Sequence, residues 1–202
     1  MGSEMCIRDS NSAEKELLSR VMWDDKENRT FSTIACKPQQ LALVAGFEIP
    51  EHIKFLMVEN NGKIGKEHKF SKEKLTTLMA LYYFEEFPDA LNIIQKIYEV
   101  GGKGHSCGIY STSDKNIDAL ARVAPVSRMM VRQPQSKSNA GSWTNGMPMT
   151  SSLGCGIWGG NITNENVTMK HMMNYTWVSK PIQEDRPSER ELFGEFFGQE
   201  VA

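Results

Sequence analysis

Cysteine is scarce in this sequence, and long apolar runs and a strong net charge are absent. These absences exclude several classes of protein. The 202 residues contain four cysteines and no Cys-x-x-Cys pair, which argues against a zinc site and a disulfide framework. No apolar run approaches the length of a membrane-spanning helix. The net charge of -2 gives no electrostatic attraction to nucleic acid or to an anionic membrane. We therefore expect no metal, no nucleic-acid partner, no membrane and a cytoplasmic location.

The rest of the composition is typical of a globular domain. Hydrophobic residues make up 40% and charged residues 24% of the chain, and a chain of this length can bury a real core. The start of the chain is the exception, because Met5 to Ser10 reads like the translation of a transposon end ligated to DNA during sequencing-library preparation. We expect residues 1–10 to be non-native, and the alternative is a genuine flexible terminus.

Helical and strand-like patterns alternate along the chain. Apolar residues at helical spacing predict helices over residues 13–23, 38–45, 88–100 and 114–123. Short apolar runs predict strands over residues 53–58, 77–84, 106–111 and 127–132. The alternation predicts an α/β fold with a largely parallel sheet and flanking helices.

Three later segments differ from this pattern. Residues 133–150 are rich in Ser, Asn, Gly and Pro, and the segment is too long for a simple connector, so we predict a functional loop. A short helix is predicted around residues 164–172. Residues 174–178 are β-prone, and a charged tail follows them.

Three blocks of sequence carry a family resemblance. The first runs from Cys36-Lys37-Pro38 through Ile49-Pro50 to the strand that ends at Glu59, and the second from Glu73-Lys74-Leu75 to Gly101-Gly102-Lys103-Gly104-His105-Ser106. The third is Ser152-Leu153-Gly154-Cys155-Gly156-Ile157-Trp158-Gly159-Gly160-Asn161 followed by Glu165-Asn166, and it is the most specific. In this order, over residues 13–180, they resemble the C-terminal half of the acylating branch of the aldehyde dehydrogenases. The tail from Trp177 to Glu195 resembles the sulfoacetaldehyde dehydrogenases of that branch.

The resemblance implies a fold, a reaction and two ligands. Family members attack an aldehyde with a cysteine thiolate, pass a hydride from the thiohemiacetal to NAD(P)+ and release the acyl group to coenzyme A. Residues 11–172 would be part of the catalytic domain, and residues 173–202 an oligomerisation strand and tail. The family nucleophile lies in an Asn-Gly-x-x-Cys-type segment that this sequence lacks. We therefore expect an inactive fragment of an enzyme that is a homo-oligomer when full length.

None of the four cysteines has the context of that nucleophile. Cys36 lies at a helix start and Cys107 inside a predicted strand, where a small core residue is expected. Cys155 lies in the glycine-rich block and is the one expected near the site. A catalytic thiol needs a helix N-terminus or a cation to lower its pKa, and we expect a structural role for Cys155.

Two residues match functional positions of the family. Glu73 matches a glutamate that faces the nicotinamide ribose, although Thr76-Thr77 stand where the family has Ser-Pro. An exposed surface carboxylate is the alternative. His105 would position or exchange a proton with the CoA thiol or the substrate, because histidine titrates near neutral pH. The alternative is a histidine that is hydrogen-bonded at the start of a strand.

Arg132 is an informative departure from the family pattern. Relatives that handle simple acyl aldehydes resemble Asn-x-Pro here, whereas this chain has Arg132-Gln133-Pro134. A sulfonate stays charged at physiological pH and needs a guanidinium and further donors. We expect Arg132, with Lys137 or Asn139, to hold a substrate sulfonate. The alternatives are a solvated arginine and a contact to CoA phosphates.

The glycine-rich block is expected to form a wall of the pocket. Gly154, Gly156 and Gly159 would let the backbone approach a ligand closely beside Cys155, and Trp158 would supply a flat apolar surface. Two other readings remain open. One is a non-catalytic short homologue that acts as a binding or oligomerisation module. The other is the same enzyme class with acetaldehyde or another short aldehyde as substrate.

Overall fold

Strands alternate with helices along the chain, as the sequence pattern predicts. The structure is a computed structural model that describes residues 7–60 and 62–196, so that Cys6 lies outside the described residues. In chain order the elements are β1 (Ile7–Asp9), α1 (Ser12–Met22), α2 (Pro38–Ala45), β2 (Phe55–Glu59), β3 (Leu78–Leu81), α3 (Phe87–Val100), β4 (Cys107–Ile109), α4 (Asp114–Val123), β5 (Met129–Val131), α5 (Gln135–Ser138) and α6 (Glu189–Phe193). Single 3₁₀ turns lie at Phe31–Thr33, Lys69–Ser71, Ile157–Gly159, Met169–Met172 and Gly194–Phe196.

All pairing between the named strands is parallel, which confirms the expected α/β class. The described strands form two sheets, one in the order β1-β2-β3 and one of β4 with β5. Strands β2 and β3 pair from Leu56 with Leu78 to Glu59 with Leu81. Strands β4 and β5 pair from Cys107 with Met129 to Ile109 with Val131.

Local capping explains why the predicted helices begin where they do. Asn11 and Glu14 form a reciprocal capping box at the start of α1, which satisfies two otherwise unpaired N–H groups. The hydroxyl of Ser113 accepts a hydrogen bond from the backbone N–H of Asn116 at the start of α4. Helices α2 and α3 carry proline in the first turn, where a missing N–H costs nothing.

The first core lies between the three-stranded sheet and helices α1 and α2. Leu18, Met22, Leu41, Leu56 and Val58 are fully buried there. At about 25 cal/mol per Å² of apolar surface removed from water, each such side chain contributes roughly 1.5–3 kcal/mol. This burial joins the helices to the sheet.

The second core lies between β4, β5 and helices α3 and α4. Leu120 of α4 is almost completely buried against Cys107 and Ile109 of β4. Leu91, Ile94 and other partly buried residues of α3 complete this cluster. The cluster holds β4 in place, and β4 begins two residues after His105.

Residues 7–9 pair with β2 as strand β1 although residues 1–10 are predicted to be non-native. Ile7 lies opposite Phe55, and the N–H of Ser10 donates to the carbonyl of Met57 at 2.9 Å. Such pairing uses backbone groups that every residue except proline carries. It is therefore compatible with either origin of the segment, and the non-native origin stays a prediction.

The chain divides into two compact units, Met1–Thr168 and Met169–Ala202. In the second unit the turn Met169–Met172 stands where a longer helix was predicted, and residues 173–188 form neither helix nor strand. The predicted strand at residues 174–178 is therefore not formed by the described single chain, and Trp177 is 94% exposed. A strand needs a pairing partner for its backbone groups, so oligomerisation through this segment stays a prediction.

Two helix-terminal glycines allow a matched test of backbone conformation. Gly46 ends α2 at φ +90°, whereas Gly101 ends α3 in an extended conformation, and an added Cβ would meet no atom within 4 Å at either site. We expect Gly46→Ala to lower the free energy of unfolding by about 1 kcal/mol, because an L side chain is strained at positive φ. Gly101→Ala should change it by less than about 0.5 kcal/mol. Urea denaturation measures both, and equal losses would contradict this account.

Candidate active site

The glycine-rich block forms an antiparallel hairpin, here called the glycine hairpin and defined as residues 152–167. The N–H of Gly154 donates to the carbonyl of Glu165, and that of Gly156 to the carbonyl of Thr163, both at 2.9 Å. The turn Ile157–Gly159 lies at its tip. Gly154 and Gly156 are buried, whereas Trp158 at the tip is half-exposed. The hairpin therefore presents its aromatic residue on the surface.

The hairpin is not a dinucleotide-binding loop, although residues 154–159 have the spacing Gly-x-Gly-x-x-Gly. That fingerprint requires a strand before the glycines and a helix after them, so that the helix N-terminus meets the pyrophosphate. Here a single 3₁₀ turn of three residues follows Gly156. The glycines instead serve close packing.

The two glycine motifs of the sequence pack directly on each other. A Cβ at Gly104 would lie 2.5 Å from the carbonyl oxygen of Cys155 and 2.8 Å from the backbone nitrogen of Gly159. A Cβ at Gly159 would lie 2.5 Å from the Cβ of Cys155. Gly104 also has φ +94°, a conformation that favours glycine. Only glycine at both positions lets the segment before β4 meet the hairpin, and this contact brings His105 beside it.

Arg128, which is not among the site residues predicted from the sequence, contacts several segments of the site at once. Its side chain is 5% exposed, and its guanidinium donates to four acceptors. These are the side-chain Oδ1 of Asn166 at 2.6 Å and the carbonyl oxygens of Gly154 at 2.7 Å, His105 at 3.2 Å and Asn164 at 3.3 Å. Burial lowers the pKa of Arg128, and the charge of Cys155, when ionised, acts in the opposite direction. All four acceptors are uncharged, so the guanidinium is stabilised by oriented dipoles.

Asn166 extends the contacts of Arg128 to the loop that follows β5. Its side-chain N–H groups donate to the carbonyl oxygens of Asn139 at 3.0 Å and Pro148 at 2.9 Å. Together the two side chains connect the segment before β4, the glycine hairpin and residues 133–150. The sequence signal that could have identified Arg128 is a charged residue inside a predicted apolar strand, because a buried charge requires partners.

His105 lies at the surface of this assembly. Its ring is exposed, and its Nδ1 is 2.7 Å from the Oγ of Ser106. The hydroxyl of Ser106 also accepts hydrogen bonds from the side-chain amides of Gln135 at 2.8 Å and Asn139 at 2.9 Å. The structure thus brings His105 and Asn139 to one serine, a connection that the sequence analysis did not include.

The three cysteines in the described part of the chain occupy different environments. Cys36 is buried in the first core, with its Sγ 3.3 Å from the hydroxyl of Thr76. Cys107 is buried in the second core, and burial raises the pKa of its thiol to about 11. The core position of Cys107 agrees with the prediction of a small core residue in a strand. Cys155 is half-buried in the glycine hairpin, and Asn161 accepts its backbone N–H at 2.8 Å.

Glu73 is exposed and lines a depression of about 440 Å³ together with Trp23, Arg29, Lys72 and six further residues. Behind it, burial lowers the pKa of Lys74 to about 8, and its ammonium donates to the carbonyl oxygens of Phe70 and Lys72, both at 2.8 Å. An accessible carboxylate in an open depression is suited to accept hydrogen bonds from ribose hydroxyls.

The three residues expected to hold a sulfonate have different surroundings. Arg132 follows β5 at φ +52° and donates to the carbonyl of Ser111 at 2.7 Å. It lines a shallow depression with Tyr110, Ser111 and Thr112. Lys137 is exposed on α5. Asn139 is 6% exposed and donates one of its two side-chain N–H groups to Ser106, so its buried position favours a structural contact.

The described residues include no group of three or more His, Cys, Asp or Glu side chains that could hold a metal ion. In the same part of the chain, no helix is both long enough and apolar enough to cross a bilayer.

Comparison with known proteins identifies similar sequences and structures. No family model matches the sequence. A sulfoacetaldehyde dehydrogenase of an Acholeplasma species is 40% identical over 187 residues, which are 91% of this chain and 38% of that protein. The acylating sulfoacetaldehyde dehydrogenase of Bilophila wadsworthia is 36% identical over 91% of this chain and 40% of its own length.

The fold agrees with the sequence comparison. The crystal structure of an acetylating aldehyde dehydrogenase from Geobacillus thermoglucosidasius superposes with a TM-score of 0.83 and 31% identity, over 92% of this chain and 40% of that chain. Over nine tenths of its length the chain is thus similar in sequence and in fold to proteins named as acylating aldehyde dehydrogenases. It spans about two fifths of the length of the curated relatives named here.

The contacts of Arg128 predict a large stability loss on substitution. Arg128→Met leaves the Oδ1 of Asn166 and the carbonyl of Gly154 buried without their donor, so we expect the free energy of unfolding to fall by about 3 kcal/mol or more. Arg122→Met, at an exposed position of α4, is the matched control and should cost less than about 1 kcal/mol. Denaturant unfolding measures both, and similar small losses would show that Arg128 is not the organising contact.

Proposed function

We propose that this chain is the C-terminal part of an enzyme that converts an anionic aldehyde, sulfoacetaldehyde, and CoA to the acyl-CoA thioester with NAD(P)+ as the oxidant. The chain itself lacks the nucleophilic cysteine and is inactive alone. The proposed enzyme is a cytoplasmic homo-oligomer. Relatives named as sulfoacetaldehyde dehydrogenases support the substrate.

One observation carries this proposal. Arg128 binds the carbonyl groups of His105 and Gly154 at the same time, and so joins the two motifs on which the family resemblance rests. A chance likeness of short glycine-rich segments would not require them to share one buried guanidinium. The motifs therefore act as one structural unit that displays His105.

The residues of this chain have separate tasks in the proposed reaction. Arg132, with four guanidinium N–H groups beyond the one that binds Ser111, binds the sulfonate together with Lys137. Asn139 is less suited to this task, because it is buried and one of its two side-chain N–H groups donates to Ser106. The hairpin with Gly154, Cys155, Gly156, Trp158 and Gly159 forms a wall of the pocket. His105 contacts the substrate or the CoA thiol.

Residues of this chain could form part of the binding sites for NAD(P)+ and for CoA. Glu73 would hold the nicotinamide ribose from its depression, and the bound nicotinamide would supply the hydride acceptor. CoA would supply the thiol that takes the acyl group. The exposed position of His105 suits a contact with such a ligand.

A second candidate function is a non-catalytic module that pairs with another subunit. The specific observation is the exposed segment of Tyr175, Trp177 and Val178, which forms no strand in the described chain. Unpaired β-prone backbone is suited to β-augmentation by a partner.

Long-read sequencing across the locus tests the proposal. We expect an in-frame extension upstream of the codon for Ser12, with a glycine-rich cofactor loop and a cysteine in an Asn-Gly-x-x-Cys setting. The extended protein should then oxidise sulfoacetaldehyde in a CoA-dependent manner. A stop codon and a ribosome-binding site just upstream would contradict the enzyme proposal and leave the module.

Substitution of Arg132 tests the substrate in the extended protein. Asparagine tolerates positive φ, so Arg132→Asn should preserve the fold while it removes the guanidinium. We expect kcat/KM for sulfoacetaldehyde to fall by about 100-fold, the effect of one or two lost charge-assisted hydrogen bonds. The value for propanal should stay within about threefold. Arg122→Asn controls for the loss of one charge, and equal losses with both aldehydes would contradict sulfonate binding.

A further inference from the structure

The hydroxyl of Ser106 lies at the centre of three side chains. The Nδ1 of His105 is 2.7 Å from its Oγ, the Nε2 of Gln135 is 2.8 Å away and the Nδ2 of Asn139 is 2.9 Å away. Such a cluster determines where each hydrogen atom lies, because the number of donors and acceptors is limited.

Counting these donors assigns the hydrogen atom of Ser106. A hydroxyl group has two lone pairs and one O–H. The amide N–H groups of Gln135 and Asn139 can only donate, and they occupy both lone pairs. The O–H of Ser106 is left for His105 and must donate to Nδ1. In the neutral ring Nδ1 is then the acceptor, and the ring hydrogen lies on Nε2.

Hydrogen bonds to neighbouring elements hold Asn139 and the backbone of Ser106 in place. Asn139 is 6% exposed, and its carbonyl accepts from Asn166, the main partner of Arg128. The carbonyl of Ser106 accepts from the hydroxyl of Tyr98 at 3.0 Å. The serine therefore cannot rotate its oxygen away from the two amides without breaking contacts on several elements.

We propose that Ser106 is a positioning residue that fixes the neutral His105 ring with its hydrogen on Nε2, so that the exposed ring presents a hydrogen-bond donor to a bound ligand. A base that deprotonates a thiol needs a bare nitrogen facing that thiol. Bare Nε2 requires the hydrogen on Nδ1, and Ser106 would then face three N–H donors with two lone pairs. His105 thus donates to a carbonyl or alkoxide oxygen of the ligand. This last step rests on the proposed function, whereas the tautomer does not.

Nuclear magnetic resonance of the ring nitrogens tests the tautomer in the 202-residue chain without substrate. The chain has four histidines, and the signals lost in His105→Gln identify His105. At about two pH units above the usual histidine pKa of ~6.5, we expect His105 to be more than about 90% in the Nε2–H form. A wild-type ring with its hydrogen mainly on Nδ1 overturns the proposal.

Three serine variants separate positioning from a general structural role. Ser106→Ala should reduce the tautomer preference at least threefold, while Ser106→Thr, which keeps the hydroxyl, should retain it. Ser136→Ala, an exposed serine on α5, is the matched control and should change nothing. An unchanged tautomer in folded Ser106→Ala also overturns the proposal.

Activity of the extended protein distinguishes this inference from the proposed function. If the tautomer is as expected and His105→Gln loses activity, the positioning role of Ser106 and the role of His105 in the reaction are both supported. If the tautomer is as expected but His105→Gln keeps full activity, Ser106 still positions the ring, and the assigned role of His105 in the reaction is wrong.

Discussion

The buried guanidinium of Arg128 is the interaction on which the rest of the site depends. It is one charge in a region of backbone turns, and it is stabilised by three carbonyl dipoles and the side chain of Asn166. A buried cation without such acceptors would cost several kcal/mol. The acceptors lie more than twenty residues from Arg128 along the chain, before it and after it. One side chain therefore links segments that are distant in sequence.

Glycine provides the second constraint, because it lets these segments approach. Gly104 and Gly159 lie so close to Cys155 that a Cβ at either position would overlap its atoms. The hydrogen bonds of Arg128 and the absence of side chains are thus complementary. The first supplies attraction between the segment before β4 and the glycine hairpin, and the second removes the steric barrier between them. Neither alone would place His105 beside the hairpin.

The residues proposed to contact ligands lie at the surface, whereas the residues that connect the segments of the site are buried. His105, Glu73 and Arg132 are exposed, whereas Arg128, Asn139 and Asn166 are buried. Exposed groups can meet ligands, and the hydrogen bonds of Arg128 and Asn166 hold the segments beneath them in position. Arg132 combines exposure with a positive φ of +52°. A non-glycine residue in that conformation is uncommon and is often found at functional sites.

The sequence by itself determined the α/β class, the starts and ends of helices α1 to α4, and the family resemblance, because these depend on apolar periodicity, caps and motifs within short segments. It also predicted the buried core position of Cys107 correctly. Only the tertiary structure decided that Arg128 and Ser106 are the organising residues, that α5 lies inside the predicted loop, and that residues 174–178 form no strand in the single chain. Partners of a buried charge, of a shared hydroxyl and of a strand edge come from distant parts of the chain or from outside it. No local pattern specifies them, and they are defined only when the backbone brings the segments together.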